Sequence, residues 1–115
     1  MVETVKFDLG QLLITPGALD ALTRNGTDEG PYLLRHQSGD WGDLSEIDKR
    51  ENDFSLLERF RLMSAYHLND QTKIWVITER DRNATTILLP EEFSAFSSTA
   101  ARSYSSIMAP SAPGR

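Results

Sequence analysis

Two β-rich segments joined by a short connection constrain the fold of this chain more than any other feature. Residues 73–78 (KIWVIT) and 84–89 (ATTILL) are rich in β-branched and aromatic side chains, which favour extended strands. The connection contains Asp81-Arg82-Asn83, and a third candidate strand, residues 62–68, precedes the pair across the turn Asn69-Asp70. Because such short turns join neighbouring strands in opposite directions, the sequence predicts an antiparallel meander.

Helix start and stop signals follow a short candidate strand at residues 11–14. Thr15-Pro16 predicts the start of one helix, because threonine caps the first turn and proline fits the first helical position. Asn25-Gly26 ends this helix, since both residues tolerate the left-handed backbone conformation. Gly30-Pro31 begins a second, shorter helix that ends at Gly39.

A third helix is predicted from Ser45 to about Glu58. Ser45, with Asp48 three residues later, forms a capping-box pattern. Three apolar side chains fall on one stripe of this helix: Ile47, Phe54 and Leu57. We expect the apolar faces of the helices to cover the sheet, because the apolar face of a small sheet needs a covering layer. The predicted fold class is therefore α+β, with two to three helices packed on a small antiparallel sheet of three to four strands.

The length of 115 residues fits one compact domain, which we place at residues 1–93. Residues 94–115 are rich in Ser, Ala and Pro, a composition typical of a flexible or marginally helical tail. The chain has no cysteine, which excludes disulfides and thiolate metal sites. It has no apolar run long enough for a membrane helix and no signal-peptide pattern, so we expect a cytoplasmic protein without a membrane partner.

The charges of the chain are distributed unevenly. The net charge is −5, and residues 40–58 hold seven acidic side chains against two basic ones. This balance argues against an extended nucleic-acid surface, which is usually basic. A negative stripe on a helix can instead imitate the phosphates of DNA, so one hypothesis is an acidic inhibitor of a host nucleic-acid enzyme. The alternative is an ordinary solvated helix face, the common meaning of such a pattern.

The stretch at residues 36–43 brings together several residue types that catalyse reactions in other proteins. Interpreted as a hydrolase, it offers His36 as base, Ser38 as nucleophile and Asp40 as carboxylate, although real triads are assembled across a fold. Interpreted as a metal site, without any known ligand spacing, it offers His36, Asp40 and Asp43 together with His67. The structural alternative is that Trp41 covers the edge of the core while the short acidic side chains bind backbone groups of the loop.

A second candidate site is a basic cluster near the strand ends. Its members are Lys73, Arg80 and Arg82, together with Arg59 and Arg61. The cluster could grip a phosphate group or an acidic loop of a partner. With Trp75 or Tyr66 exposed on the sheet, it could also stack a nucleic-acid base. The alternative is that both aromatic side chains are core and that the arginines are solvated or pair with the acidic helix.

Several segments between residues 7 and 93 form a specific pattern. In chain order they are residues 9–11 (LGQ), 15–18 (TPGA), 35–44 (RHQSGDWGDL), 48–52 (DKREN), 64–66 (SAY), 73–79 (KIWVITE), 81–82 (DR), 85–86 (TT) and 89–92 (LPEE). Through these segments the chain resembles a family of small proteins encoded on bacterial plasmids and other mobile elements. The resemblance implies an accessory role on mobile DNA, in maintenance or in resisting host defence, and implies no established activity.

The leading hypothesis from the sequence is a non-catalytic macromolecular interaction protein whose partner is a protein. A nucleic-acid partner is not favoured, no catalytic residue, metal or cofactor is assigned, and the oligomeric state stays open. The two rival hypotheses are the acidic inhibitor and a small hydrolase that uses His36, Ser38 and Asp40. The candidate binding residues are His36, Ser38, Asp40, Trp41, Asp43, Trp75, Arg80 and Arg82.

Overall fold

Four strands form a single mixed sheet in the computed structural model, which describes residues 5–95. The strands are β1 (Gln11–Ile14), β2 (Leu62–His67), β3 (Lys73–Thr78) and β4 (Ala84–Leu88), in the spatial order β1-β4-β3-β2. The helices are α1 (Pro16–Arg24), α2 (Gly30–Gln37) and α3 (Glu46–Glu58), with a 3-10 helix at Pro90–Glu92. Helices packed with this small sheet confirm the predicted α+β class. Within residues 5–95, no helix is both long and apolar enough to cross a membrane.

The meander predicted for the second half of the chain is confirmed in β2, β3 and β4. Trp75 of β3 lies opposite Ala65 of β2, and Val76 of β3 lies opposite Ile87 of β4, both in antiparallel pairs. The prediction of an entirely antiparallel sheet is wrong for β1, which adds an edge strand that runs parallel to β4. The long stretch of chain between β1 and β4 permits this direction, because a parallel pair needs a crossover rather than a tight turn.

The start of α1 and the end of the described domain are fastened together. The Thr15 hydroxyl accepts a hydrogen bond from the Ala18 N–H (3.2 Å), as the capping signal predicts. The Glu92 carboxylate accepts hydrogen bonds from the Thr15 hydroxyl and from the Gly17 N–H. Beside this junction, α1 and α2 pack on the sheet in an apolar cluster of Ala18, Ala21, Leu22, Leu33, Tyr66, Leu68, Ile74, Val76 and Ile87.

α3 does not cover the sheet with its apolar stripe, and for this helix the expectation from the sequence is wrong. Ile47, Phe54 and Leu57 are 63%, 57% and 80% exposed. The buried residue of α3 is Asn52, whose carboxamide binds both the N–H and the C=O of Met63 in β2. Because β2 is an edge strand, α3 lies against the edge of the sheet, through the contact of Asn52 and through Leu56, which packs on the buried cluster around Leu62. The apolar stripe is left facing solvent.

Only the first two residues of the predicted tail, residues 94 and 95, lie within the described part of the chain. They continue a helical turn that begins at Phe93. The Phe93 ring packs edge-on against the Trp75 ring, with the centroids 5.7 Å apart. Residues 96–115 lie outside the described residues, so the flexible tail and the domain boundary at residue 93 stay predictions.

Candidate functional site

His36 lies in the interior of the protein. Its side chain is fully buried, with Nδ1 2.6 Å from Ser64 Oγ and Nε2 2.9 Å from Thr78 Oγ1. Burial, aided by the positive charge of Arg82, lowers the pKa of His36 to about 3. The imidazole is therefore neutral at physiological pH, and its two hydrogen bonds join α2 to β2 and β3.

The hydroxyl groups around His36 continue into a buried polar chain. Thr78 Oγ1 is 2.7 Å from Thr85 Oγ1, and the Thr85 hydroxyl donates to the Leu9 carbonyl at 2.7 Å. Each of these polar atoms has a partner, which is what buried polar groups require. Sequence reasoning missed this chain because its members come from α2, β2, β3 and β4 and share no local pattern.

The other two residues of the hydrolase hypothesis bind partners other than His36. The Ser38 hydroxyl donates to the Arg35 carbonyl (2.7 Å), and the Asp40 carboxylate pairs with Arg35 Nε at 2.7 Å. This hydrogen bond from Arg35 is the main cause of the lowered pKa of Asp40, and the Gly42 N–H also donates to the carboxylate. A nucleophile–base pair needs side chains that converge in an accessible cleft, and the structure does not bring His36 and Ser38 together in this way.

Trp41 and Asp43 also have partners within the fold. The buried Trp41 donates from Nε1 to Asp53 Oδ1 at 2.9 Å, which ties the loop to α3. Asp43 Oδ2 lies 2.7 Å from His67 Nδ1 at the surface. Of the residues named in the metal hypothesis, only Asp43 and His67 meet, and residues 5–95 contain no group of three or more side chains suited to hold a metal ion.

The two aromatic residues of the base-stacking hypothesis have different environments. Tyr66 is fully buried, its hydroxyl donates to the Asp40 carbonyl (2.7 Å), and the Arg35 guanidinium lies 4.4 Å from its ring centroid. Tyr66 is therefore a core residue, as the structural alternative holds. Trp75 is half-buried, with Phe93 covering part of it.

The predicted basic cluster is divided by the fold. Lys73 and Arg80 are exposed, whereas Arg61 forms a salt bridge with Glu79 at 3.3 Å in which both side chains are largely buried. Arg82 is only 6% exposed. The cluster is therefore not one continuous basic surface, and Arg82 is its most unusual member because buried arginines are normally paired with an acid.

Arg82 is bound by backbone carbonyls instead of a carboxylate. Its Nη1 donates to the carbonyls of Phe60 (2.7 Å) and Glu79 (3.1 Å), and its Nη2 donates to the Ser55 carbonyl (3.4 Å). Its Nε has no hydrogen-bond partner among the described residues, and no carboxylate in residues 5–95 lies within salt-bridge distance. Burial and the nearby charge of Arg59 lower the pKa of Arg82.

A cavity of about 350 Å³ lies beside this arginine, and we call it the Arg82 cavity. It is formed between the segment at residues 5–8 and the end of α3. Its charged lining residues are Lys6, Asp8, Arg59 and Arg82. The sequence analysis grouped Arg59 with Arg82. It did not indicate that residues 5–8 belong to the same site, because this segment meets the end of α3 only in the folded chain.

The exposed side of α3 is the second distinctive surface. Ile47, Phe54 and Leu57 form what we call the α3 apolar stripe, and the Phe54 ring packs against that of Phe60 with centroids 6.0 Å apart. The helix also has five acidic side chains against two basic ones: Glu46, Asp48, Glu51, Asp53 and Glu58 against Lys49 and Arg50. Comparison of the chain with protein-family models, curated proteins and solved structures found no match, so the interpretation of these surfaces rests on their geometry.

Proposed function

We propose that this protein is a non-catalytic binding module that inserts the α3 apolar stripe into an apolar groove of a partner protein. The observation that supports this function is the exposure of three large apolar side chains on one face of a single helix. Their spacing, with Phe54 seven and Leu57 ten residues after Ile47, matches the way an amphipathic helix docks its anchors into a groove. Burying each of the three would contribute about 1.5–3 kcal/mol.

The helix is already held in the conformation that such a partner would bind. Asn52 fastens α3 to Met63 of β2, and Asp53 fastens it to Trp41. A preformed helix loses little conformational entropy on binding, so more of the gain from apolar burial appears as affinity.

The charge of α3 favours a partner whose groove has a basic rim. The helix that carries the stripe has five acidic side chains against two basic ones, so two copies docked through this helix would bring like charges together. Anionic lipid surfaces would be repelled for the same reason. Among apolar grooves, one flanked by lysine and arginine is therefore the best complement.

The resemblance to plasmid-encoded proteins supports an accessory role on a mobile element, with a host protein as the partner. A host nucleic-acid enzyme has the basic surface that α3 requires, so the inhibitor hypothesis is a special case of this function. A protein that only mimics DNA phosphates binds through negative charge, to which exposed leucine and phenylalanine side chains do not contribute. We therefore place the apolar anchors, rather than the acidic charge alone, at the centre of recognition.

The test is a capture experiment with tagged protein and nuclease-treated lysate of the source cells. The double variant Phe54→Ser/Leu57→Ser removes two anchors, and Leu19→Ser, at an apolar position of α1 that is 53% exposed, is the matched control. We expect a stoichiometric protein that binds wild type and Leu19→Ser, and binds the double variant at least tenfold more weakly. Circular dichroism and chemical unfolding establish that all three proteins are folded.

The charge component is tested on the same purified partner. Glu58→Lys is expected to weaken binding about threefold to tenfold, and added salt is expected to weaken wild-type binding, because the rim interaction is electrostatic. A partner that binds the double variant as tightly as wild type would contradict the proposal, and so would the absence of any partner of wild type. If the partner is a nucleic-acid enzyme, its activity with and without this protein decides whether the module inhibits it.

A further inference from the structure

The Arg82 cavity is a partly open space lined by one buried cation and two exposed cations. Arg82 lines it from the β3–β4 connection, Arg59 from the end of α3, and Lys6 from the first described segment. Asp8 is the only acidic residue among the lining residues described. The charges around the cavity therefore sum to +2, and within residues 5–95 neither Lys6 nor Arg59 forms a salt bridge that would reduce this sum.

Arg82 is held in place before any ligand arrives. The carbonyls of Ser55 and Phe60 at the end of α3, and of Glu79 after β3, accept hydrogen bonds from its Nη atoms. The Phe7 ring lies 5.7 Å from its guanidinium carbon. These contacts connect the end of α3 to the β3–β4 connection. They leave the Arg82 Nε–H buried without an acceptor. The cavity therefore has beside it a fixed cation whose charge no carboxylate within residues 5–95 neutralises through a salt bridge.

Arg59 also lines the cavity, from the position that ends α3. It ends α3 in the left-handed region, with φ of 61°. Its charge opposes that of Arg82 strongly enough to contribute to the lowered pKa of Arg82. Two cations that repel each other around a cavity are stabilised when an anion lies between them.

We propose that the Arg82 cavity binds a phosphate group, either as free phosphate or as the head of a small phosphate monoester. A net charge of +2 complements a phosphate dianion better than a monovalent carboxylate. Arginine is also suited to tetrahedral oxyanions, because its N–H groups form a planar fork. The volume of about 350 Å³ leaves space beyond the phosphate for part of an attached group. This site is separate from the α3 apolar stripe and does not depend on the proposed function.

The experiment is a nuclear magnetic resonance titration of the full chain at constant ionic strength. The signals followed are the backbone amides of Phe7 and Leu56 and the Arg Nε–H of Arg82. Inorganic phosphate, adenosine 5′-monophosphate and adenosine are titrated separately. We expect saturable shifts with inorganic phosphate and with adenosine 5′-monophosphate, and none with adenosine. Whichever of the two binds more tightly shows whether the cavity prefers free phosphate or a phosphate monoester.

Three variants change charges that line the cavity, and a fourth variant is the control. Arg59→Asn removes a cation with a residue that also tolerates the left-handed conformation, and Lys6→Gln removes the second exposed cation. Each is expected to weaken phosphate binding about fivefold to tenfold, the effect of losing a charge-assisted contact that is partly solvated. Asp8→Asn is expected to tighten binding, because it removes the one acidic group. Arg80→Gln is the matched control, since Arg80 is exposed on the same connection but does not line the cavity.

The outcomes separate a built site from general surface charge. Weakening by Arg59→Asn and Lys6→Gln but not by Arg80→Gln, with tightening by Asp8→Asn, supports the site. Equal weakening by Arg80→Gln would overturn it, as would adenosine binding as tightly as its monophosphate. Absence of saturable shifts with both phosphates would overturn it as well.

Discussion

The side-chain amide of Asn52 pairs with the backbone of Met63 as a neighbouring strand would. Its Oδ1 accepts from the Met63 N–H at 3.1 Å, and its Nδ2 donates to the Met63 carbonyl. Further along the same edge of β2, the Ala65 N–H donates to the Trp41 carbonyl and the Ala65 carbonyl accepts from Asp43. The outer edge of β2 is thereby covered by one side chain and one loop, which protects backbone groups that an exposed edge would leave unpaired.

Replacement of Asn52 by alanine is expected to lower the free energy of unfolding by about 2–4 kcal/mol, because two buried backbone groups lose their partners. Chemical unfolding measures this change. Glu58→Ala, on the exposed side of the same helix, is the control and is expected to change stability by less than about 0.5 kcal/mol. If the two variants were equally stable, Asn52 would not be what holds α3 to the sheet.

The parts of this fold that could be predicted from the sequence are those set by neighbouring residues. The caps of α1 and α3 are confirmed, since the hydroxyls of Thr15 and Ser45 accept from backbone N–H groups three residues later. The meander is confirmed because tight turns leave consecutive strands no other arrangement. Each of these signals lies within about one turn or one hairpin of the residue that it specifies.

The parts that could not be predicted depend on residues distant in the chain. The spacing of the α3 apolar stripe indicates one face of a helix, but the contacts that hold the rest of α3 to Met63 and Trp41 decide that this face points to solvent. The Arg82 cavity likewise requires the segment at residues 5–8 to meet the end of α3. At residues 36–43, proximity along the sequence suggested a catalytic group, whereas the fold directs those side chains to separate partners.

His36 is expected to make the protein less stable in mild acid. Its pKa is about 3 in the folded protein and about 6.5 when unfolded, so between these values the unfolded chain binds the additional proton. The stabilisation is present above about pH 6.5 and is lost as the pH falls toward 3. Unfolding free energies measured at several pH values should fall by about 1 kcal/mol per pH unit in this window.

The variant His36→Gln isolates this effect from the carboxylates that also titrate in acid. It keeps a polar group near Ser64 and Thr78 but cannot take up the proton, so its stability should depend less on pH between 4.5 and 6. In the wild-type protein, the His36 Cε1–H resonance should not titrate while the protein stays folded. A folded protein in which His36 titrates near 6.5 would contradict the buried, neutral imidazole.

Two glycines with similar backbone angles are expected to differ in their tolerance of alanine. Gly42 has φ of 76°, and a Cβ there would lie 2.0 Å from the Ala65 carbonyl oxygen, whereas Gly26 has φ of 66° and open space around it. Gly26→Ala carries only the left-handed backbone strain, about 1–2 kcal/mol. Gly42→Ala adds a clash that moves the loop from β2, so we expect about 3 kcal/mol or more. Thermal unfolding of both variants measures the difference, and equal losses would show that the loop does not approach β2 this closely.

Alanine variants at Leu57 and Leu62 are expected to differ in stability, because only one of these side chains belongs to the core. Leu57 is 80% exposed, whereas Leu62 is fully buried beside Phe7 and Trp41. Leu62→Ala is expected to cost about 2–5 kcal/mol, the usual effect of a cavity in a core. Leu57→Ala should change stability by less than about 0.5 kcal/mol, because the Leu57 side chain is mostly exposed and fills no space in the core. The same chemical change at both positions makes the comparison independent of side-chain type. If Leu57→Ala cost as much as Leu62→Ala, the α3 apolar stripe would belong to the core and could not be the surface that a partner binds.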